Sequence, residues 1–397
     1  MNPVLTPNIV EEIPLGGIVT VRDRVLEMQA QGRKVLRLES GDPSFDIPIH
    51  VREAIEKALR DGQTHYTAGA GIPSLRDAIY RKLRRENSLP VASPNNVLVT
   101  NGAMHGLYIA FRALCSPGDE IIIPDPTWTE THDNILLAGG RPVRCPLDAE
   151  RGYLYDPARI EALITPRTRA IVVNTPHNPT GAVLSKDVLT AILDVAIRHN
   201  LFVVSDEAYE HVIFDGLRSE SLGALPGGDD RVISIYSMSK SYAMSGLRMG
   251  YLTSNDAHLM ERMAKLLRCT INGVNSATQH GAVAALDGPQ ETTASMRTVY
   301  EARRDTLYNA LCKVPALRPF RPSGAFYVWC AISPDWKGYQ GKTDGWAMTH
   351  SLLDTLAIGS APGEVFGPAG AGHVRFAFSC ATAQVEQAAA LFSQTAE

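Results

Sequence analysis

Between about Val97 and Ser254 the chain alternates short apolar runs with amphipathic stretches. The runs are Val97–Thr100, Glu120–Pro124, Pro142–Pro146, Ala170–Asn174, Phe202–Ser205, Val232–Tyr236 and Met249–Thr253. Segments this short and apolar read as strands buried on both faces. Helical patterns lie between several of them, such as Lys186–His199 with Val188, Ile192, Val195 and Ala196 on one side. That alternation predicts an α/β fold with a mostly parallel seven-stranded sheet sandwiched by helices. Ligands of such sheets bind beyond the carboxyl ends of the strands, so the residues that follow each run are where chemistry is expected.

The pattern changes after about Asp287 to a long helix Gln290–Lys313, a strand Ala325–Cys330, a helix near Gly345–Ala357, a strand Val374–Phe378 and a last helix. At 397 residues two subdomains are the default. We expect residues 51–287 to form a large domain and 288–397 a smaller α+β domain, joined by part of residues 1–50. Pro3–Gly17, rich in Pro and Gly, reads as an arm that reaches across a dimer. The net charge of −4 carries no long single-sign run, which argues against nucleic acid or an anionic membrane as the main partner. Arg81-Lys82-Leu83-Arg84-Arg85 sits on the helical pattern Leu75, Ile79, Leu83 and reads as a solvated face. Six cysteines without C-x-x-C pairs suit reduced thiols, mostly small core residues, and a cytoplasmic location. No apolar stretch is long enough to span a bilayer, and the N-terminus lacks the basic and apolar regions of a secretion signal. Eleven histidines show no H-x-x-x-H pair, so no metal site is expected.

The run Ser237–Tyr251 puts Lys240, small hydroxyl residues, Gly246 and Arg248 directly after a buried strand. A lysine there is costly unless its amine reacts; desolvation and nearby cations lower its pKa, and the neutral amine can attack a carbonyl. Thr100–Gly106 follows another strand and opens the helical pattern Leu107–Leu114, where backbone N–H groups suit a phosphate, although a plain tight turn reads the same way. Asp206 places a carboxylate after a third strand, either as a helix N-cap or as a partner for a cation. Arg375 lies in a strand pattern, and its guanidinium fork suits a carboxylate. Trp128 ends the segment Pro124–Trp128 and reads equally as a core tryptophan.

Together and in this order these segments resemble the pyridoxal 5′-phosphate (PLP) aminotransferases of classes I and II, fold type I, over nearly the whole chain. The resemblance implies that Lys240 carries PLP as a Schiff base and serves as the proton-transfer base. It implies phosphate contacts from Gly102, Ala103, Met104, Ser237 and Arg248, with Ser239 a weaker hydroxyl candidate, and from Tyr66 of a neighbouring subunit. Trp128 would stack on the pyridine ring, Asp206 would pair with its nitrogen, and Asn178 and Tyr209 would reach its phenolic oxygen. Arg375, Asn178 and the Gly41 backbone would hold the substrate. A homodimer acting on an amino acid and a 2-oxo acid in ping-pong fashion follows, with a lyase, decarboxylase or cyclase on the same scaffold as the alternative. A PLP-sensing regulator is the outsider, since no DNA-binding segment is seen. One aspartate-preferring subgroup has a lysine where this chain has Met104, which argues against a dicarboxylate preference; Arg22 or Arg24 could replace it. Gly16, Gly17 and Ile18 are placed at the pocket entrance, and His105 and His177 read as structural.

Overall fold

The computed structural model describes residues 8–394. Strand β1 is the short Leu36–Arg37. The seven expected central strands follow as β2 Val97–Asn101, β3 Glu120–Asp125, β4 Arg141–Pro146, β5 Thr168–Asn174, β6 Phe202–Asp206, β7 Val232–Ser237 and β8 Met249–Thr253. They form one sheet in the order β2-β8-β7-β6-β5-β3-β4. Every pairing is parallel except those of β8, which runs antiparallel to β2 and β7. The connection Met238–Arg248 is too short for the crossover of about a dozen residues that a parallel pair needs. Every residue of β3 and β7 is buried, as strands covered by helices on both faces require.

The C-terminal part adds β9 Leu317–Phe320, β10 Tyr327–Ile332, β11 Ile358–Gly359, β12 Ala361–Pro362 and β13 His373–Ala377. An antiparallel sheet runs β12-β13-β10-β9. Strand β1 pairs in parallel with β11, so the segment before residue 51 joins C-terminal elements. The helix Gly17–Ala30 docks there too, burying Val21, Val25 and Met28 in a cluster with Leu353.

Four expectations need correction. Strand β10 begins at Tyr327 rather than Ala325, because Ala325 has φ 54° and its N–H bonds to the Val212 carbonyl at 2.9 Å, outside the ladder. Lys82 is not on a solvated face. It is 1% exposed, with Nζ 2.5 Å from Glu210 Oε2 and 2.8 Å from Asn87 Oδ1. Such partners are what makes a buried amine tolerable. Of the cysteines, Cys115, Cys145 and Cys330 are buried, but Cys269 and Cys312 are exposed. Asp206 caps no helix; it ends β6 and accepts from Ala208 N–H at 3.1 Å in a turn. Part of the expected arm, residues 3–7, lies outside the described residues; Ile9–Glu12 form an exposed 3-10 turn. Among the described residues no helix is long and apolar enough to cross a membrane.

Candidate active site

A cavity of about 360 Å³ opens at the carboxyl ends of β5, β6 and β7. The helix Gly102–Leu114 starts on one side of it; the helix Gly17–Ala30 and strands β10 and β13 bring residues to the other. Of the residues singled out in the sequence, Gly41, Ala103, Met104, Trp128, Asn178 and Asp206 line this cavity. Tyr209, Ser237, Ser239, Lys240, Arg248 and Arg375 line it as well. Gly102 stands just behind the wall. Tyr66 is elsewhere: it is 91% exposed, beside a separate hollow bounded by Asn272–Ala277. Ile18 and Arg22 reach the cavity, whereas Arg24, Gly16, Gly17, His105 and His177 do not. His177 is buried against Thr180 Oγ1 at 2.8 Å, and burial pushes its pKa down to about 3. His105 bonds Thr270 Oγ1 at 2.8 Å.

Lys240 sits in the short helix Met238–Ser241 that follows β7, so it reaches the cavity from the carboxyl end of an interior strand. Nζ donates to the Gly41 carbonyl at 2.7 Å. Burial lowers the lysine pKa to about 8; Arg248 and Arg375 push it the same way and Asp42 opposes them. At that pKa roughly a tenth of the amine is neutral at pH 7, far more than for an ordinary lysine, and the neutral form is what a nucleophilic or proton-accepting amine requires.

The floor near Lys240 is built for an anion. The amide end of the helix Gly102–Leu114 meets the hydroxyls of Ser237 and Ser239 and the guanidinium of Arg248. Arg248 is anchored by Nη1 to the Ser245 carbonyl at 2.7 Å. Gly102, at φ +76°, lets that side chain pass: a Cβ there would lie 2.4 Å from Arg248 Nη2. Asp206 lies deeper. It is buried, its carboxylate accepts only the Ala208 N–H among the described residues, and burial raises its pKa to about 6. Its own carbonyl receives Asn174 Nδ2 at 3.0 Å, tying β6 to β5.

At the other end Arg375 projects from β13, 2% exposed. Nη1 donates to Asn178 Oδ1 at 3.0 Å and Nη2 to the Glu39 carbonyl at 2.9 Å. The guanidinium carbon stands 4.1 Å from the Tyr327 ring centre and 4.7 Å from that of Phe366. Tyr327 and Tyr209 share a hydroxyl–hydroxyl hydrogen bond of 2.8 Å. Gly41 admits the Tyr327 hydroxyl, which would stand 2.1 Å from a Cβ at that position.

Among the wall residues to which the sequence analysis gave no role are Arg37, Glu39, Glu130 and Tyr327. Arg37 Nε bonds Glu39 Oε1 at 2.8 Å. Glu130 opens the helix Thr129–Leu137 and accepts from the Thr129 hydroxyl. Its position imitates an ordinary acidic first-turn residue, which hid it; only its place two residues after Trp128 pointed inward. Tyr327 ends the segment Pro322-Ser323-Gly324-Ala325-Phe326-Tyr327, which also resembles the family, so it could have been found there.

One cavity thus combines a desolvated amine, an anion cradle, a buried carboxylate and a buried guanidinium. That set can hold a phosphorylated carbonyl compound and a carboxylic acid side by side. The class I and II aminotransferase family profile matches residues 33–392. A probable aspartate/prephenate aminotransferase of Thermus aquaticus is 37% identical over 379 residues, covering 95% of each chain. An arginine–pyruvate transaminase of Pseudomonas aeruginosa is 36% identical over 352 residues, 89% of this chain and 87% of that one. The aspartate aminotransferase of Thermus thermophilus, solved with maleate, superposes with a TM-score of 0.91 at 34% identity, over 98% of this chain and 99% of that one. With fold, length and family profile in agreement, the chain belongs to the class I and II aminotransferases.

Proposed function

We propose that this aminotransferase uses PLP, held through Lys240, to move an amino group from an L-amino acid to a 2-oxo acid in two half-reactions. The observation that carries this is the convergence of Lys240, Asp206 and Arg375 on one cavity. The residues present fit the cofactor. Asp206 is a buried carboxylate with no cationic partner among the described residues, and a protonated pyridine nitrogen would supply one. The passage left by Gly102 for Arg248 suits a phosphate. Bound PLP supplies an electron-withdrawing ring that stabilises negative charge at the substrate Cα.

The chain's own groups do the rest. Arg375, fixed by Asn178 and Glu39, offers its guanidinium to the α-carboxylate and so orients the substrate. Lys240, with its pKa near 8, takes the Cα proton. Trp128 covers one side of the cavity, and the NH₂ group of Asn178 remains a donor because its oxygen is committed to Arg375. Tyr209 is kept protonated by burial and by Tyr327, so it serves as a hydrogen-bond donor. Tyr66, exposed on this chain, would complete the phosphate site of a second copy in a homodimer, with residues 51–287 as the cofactor-binding unit. A cytoplasmic location fits this reading.

The family match favours amino transfer over the lyase, decarboxylase and cyclase alternatives. The test is a single-turnover assay with PLP-loaded protein and one amino acid. Release of the matching 2-oxo acid in an amount equal to the sites, resuming only when a second oxo acid is added, is the expected result. Release of ammonia or CO₂ instead would overturn it.

A further inference from the structure

We propose that Glu130 selects the amino donor, favouring an amino acid whose side chain ends in a cation, a guanidinium or an ammonium. This rests on the aminotransferase reading above and concerns the same cavity.

The substrate side of the cavity carries Ile18, Val19, Met104 and Glu130. Two cations also reach the wall, but both are already engaged. Arg37 is held by Glu39 at 2.8 Å, and Arg22, with its side chain 49% exposed, pairs with Asp23 at 3.3 Å. At the position where a lysine would hold a second carboxylate stands the uncharged Met104. Glu130, unlike Glu39, has no ion-pair partner within salt-bridge distance among the described residues; its contacts are the Thr129 hydroxyl and a backbone N–H, and the other wall carboxylate without a cation, Asp206, lies at the cofactor end.

Charge balance sets what can enter. Burial disfavours the Glu130 carboxylate; hydrogen bonds from the Thr129 hydroxyl and a backbone N–H offset part of that, Asp133 adds to the penalty, and the Arg375 guanidinium contributes a smaller offset from a distance. When a substrate α-carboxylate occupies Arg375, this compensation is spent on the ligand. Glu130 is then a half-buried carboxylate on the cavity wall without that offset. A second carboxylate there meets repulsion, whereas a cation restores neutrality and donates hydrogen bonds. The apolar Ile18, Val19 and Met104 suit the methylene stem that joins such a cation to Cα.

The test is calorimetric titration of the PLP-loaded protein with acids that lack an α-amino group and so cannot react. 5-Guanidinopentanoate carries one carboxylate and a guanidinium; glutarate carries two carboxylates; pentanoate carries one carboxylate alone. Wild-type protein should bind 5-guanidinopentanoate at least about 10-fold more tightly than glutarate, and Glu130→Gln should erase about that factor, as loss of one charge-assisted hydrogen bond implies. Pentanoate should bind both proteins equally, which shows that the variant is folded and Arg375 intact. Should Glu130→Gln not yield folded protein, Glu130→Thr carries the same expectation. A wild-type preference for glutarate, or a preference unchanged by the substitution, overturns the proposal. Release of oxo acid from neutral or dicarboxylic donors as readily as from cationic ones would also overturn it while leaving amino transfer intact. No oxo acid from any amino acid would instead remove the aminotransferase reading itself.

Discussion

Asn178 Oδ1 accepts a 3.0 Å hydrogen bond from Arg375 Nη1, so the residue expected to face the cofactor also holds the one expected to face the substrate. One amide thereby couples two binding events. Replacing Asn178 by Ala should leave Arg375 with one fewer partner and raise KM for amino acids as well as weaken PLP. Arg375→Lys keeps the charge but loses the fork. We expect kcat/KM for α-carboxylate substrates to fall about 100-fold, the worth of two hydrogen bonds to a charged group. Steady-state kinetics with PLP in excess checks both.

Lys240→Ala should abolish multiple turnover. The decisive measurement is covalent retention of PLP after borohydride treatment, read by mass spectrometry. Wild-type protein should keep the cofactor mass on the Lys240 peptide and the variant should not. A labelled peptide elsewhere in the chain would dismiss Lys240.

The amine of Lys240 is lowered to about 8 by burial, with Arg248 and Arg375 acting in the same direction. Only the neutral form attacks a carbonyl, so PLP uptake by cofactor-free protein should accelerate with rising pH and level off above about 8. Stopped-flow absorbance gives the profile. Arg248→Gln removes one of the cations that depress the pKa, so the midpoint should move upward.

Asp206 has its pKa raised from 3.8 to about 6 by burial. A raised acid stabilises the fold fully below 3.8, and that contribution is lost as pH rises through about 6. In cofactor-free protein at pH 8 the ionised carboxylate therefore costs on the order of 3 kcal/mol. Asp206→Asn should raise the melting temperature of the cofactor-free protein at pH 8, more than at pH 4, while lowering kcat by at least about 100-fold through loss of the partner for the ring nitrogen. Calorimetry at the two pH values, beside an activity assay, separates the two effects.

Tyr66 is 91% exposed and remote from the cavity of its own chain. If it serves a neighbouring copy, Tyr66→Ala and Lys240→Ala proteins that are each impaired should recover activity when unfolded together and refolded, since mixed dimers contain one intact site. No recovery would place Tyr66 outside catalysis.

Much of this was legible because buried parallel strands leave continuous apolar runs, and the chemistry sits at their ends. Lys240, Asp206 and Asn178 were each visible as polar residues where an apolar run stops. Two kinds of feature were not. Lys82 looked like part of a basic surface because its partner, Glu210, is remote in sequence and reaches it only through the folded sheet. Glu39 and Glu130 drew no sequence reading for the same reason: what makes them wall residues is a cavity assembled from segments remote in sequence. Periodicity reports what an element does with its own neighbours, and these residues are defined by distant ones. The β10 start was missed because Ala325 is apolar yet takes a left-handed backbone conformation that its residue type does not announce.

The guanidinium of Arg375 rests on the carbonyl of Glu39, and the amine of Lys240 on the carbonyl of Gly41. The segment that follows β1 and the late strand β13 therefore meet at the cavity. If Arg375 holds the substrate carboxylate as proposed, the residues up to β13 must all be synthesised before that carboxylate has a place to bind. A chain clipped before β13 would then present Lys240 without the means to orient an amino acid against it.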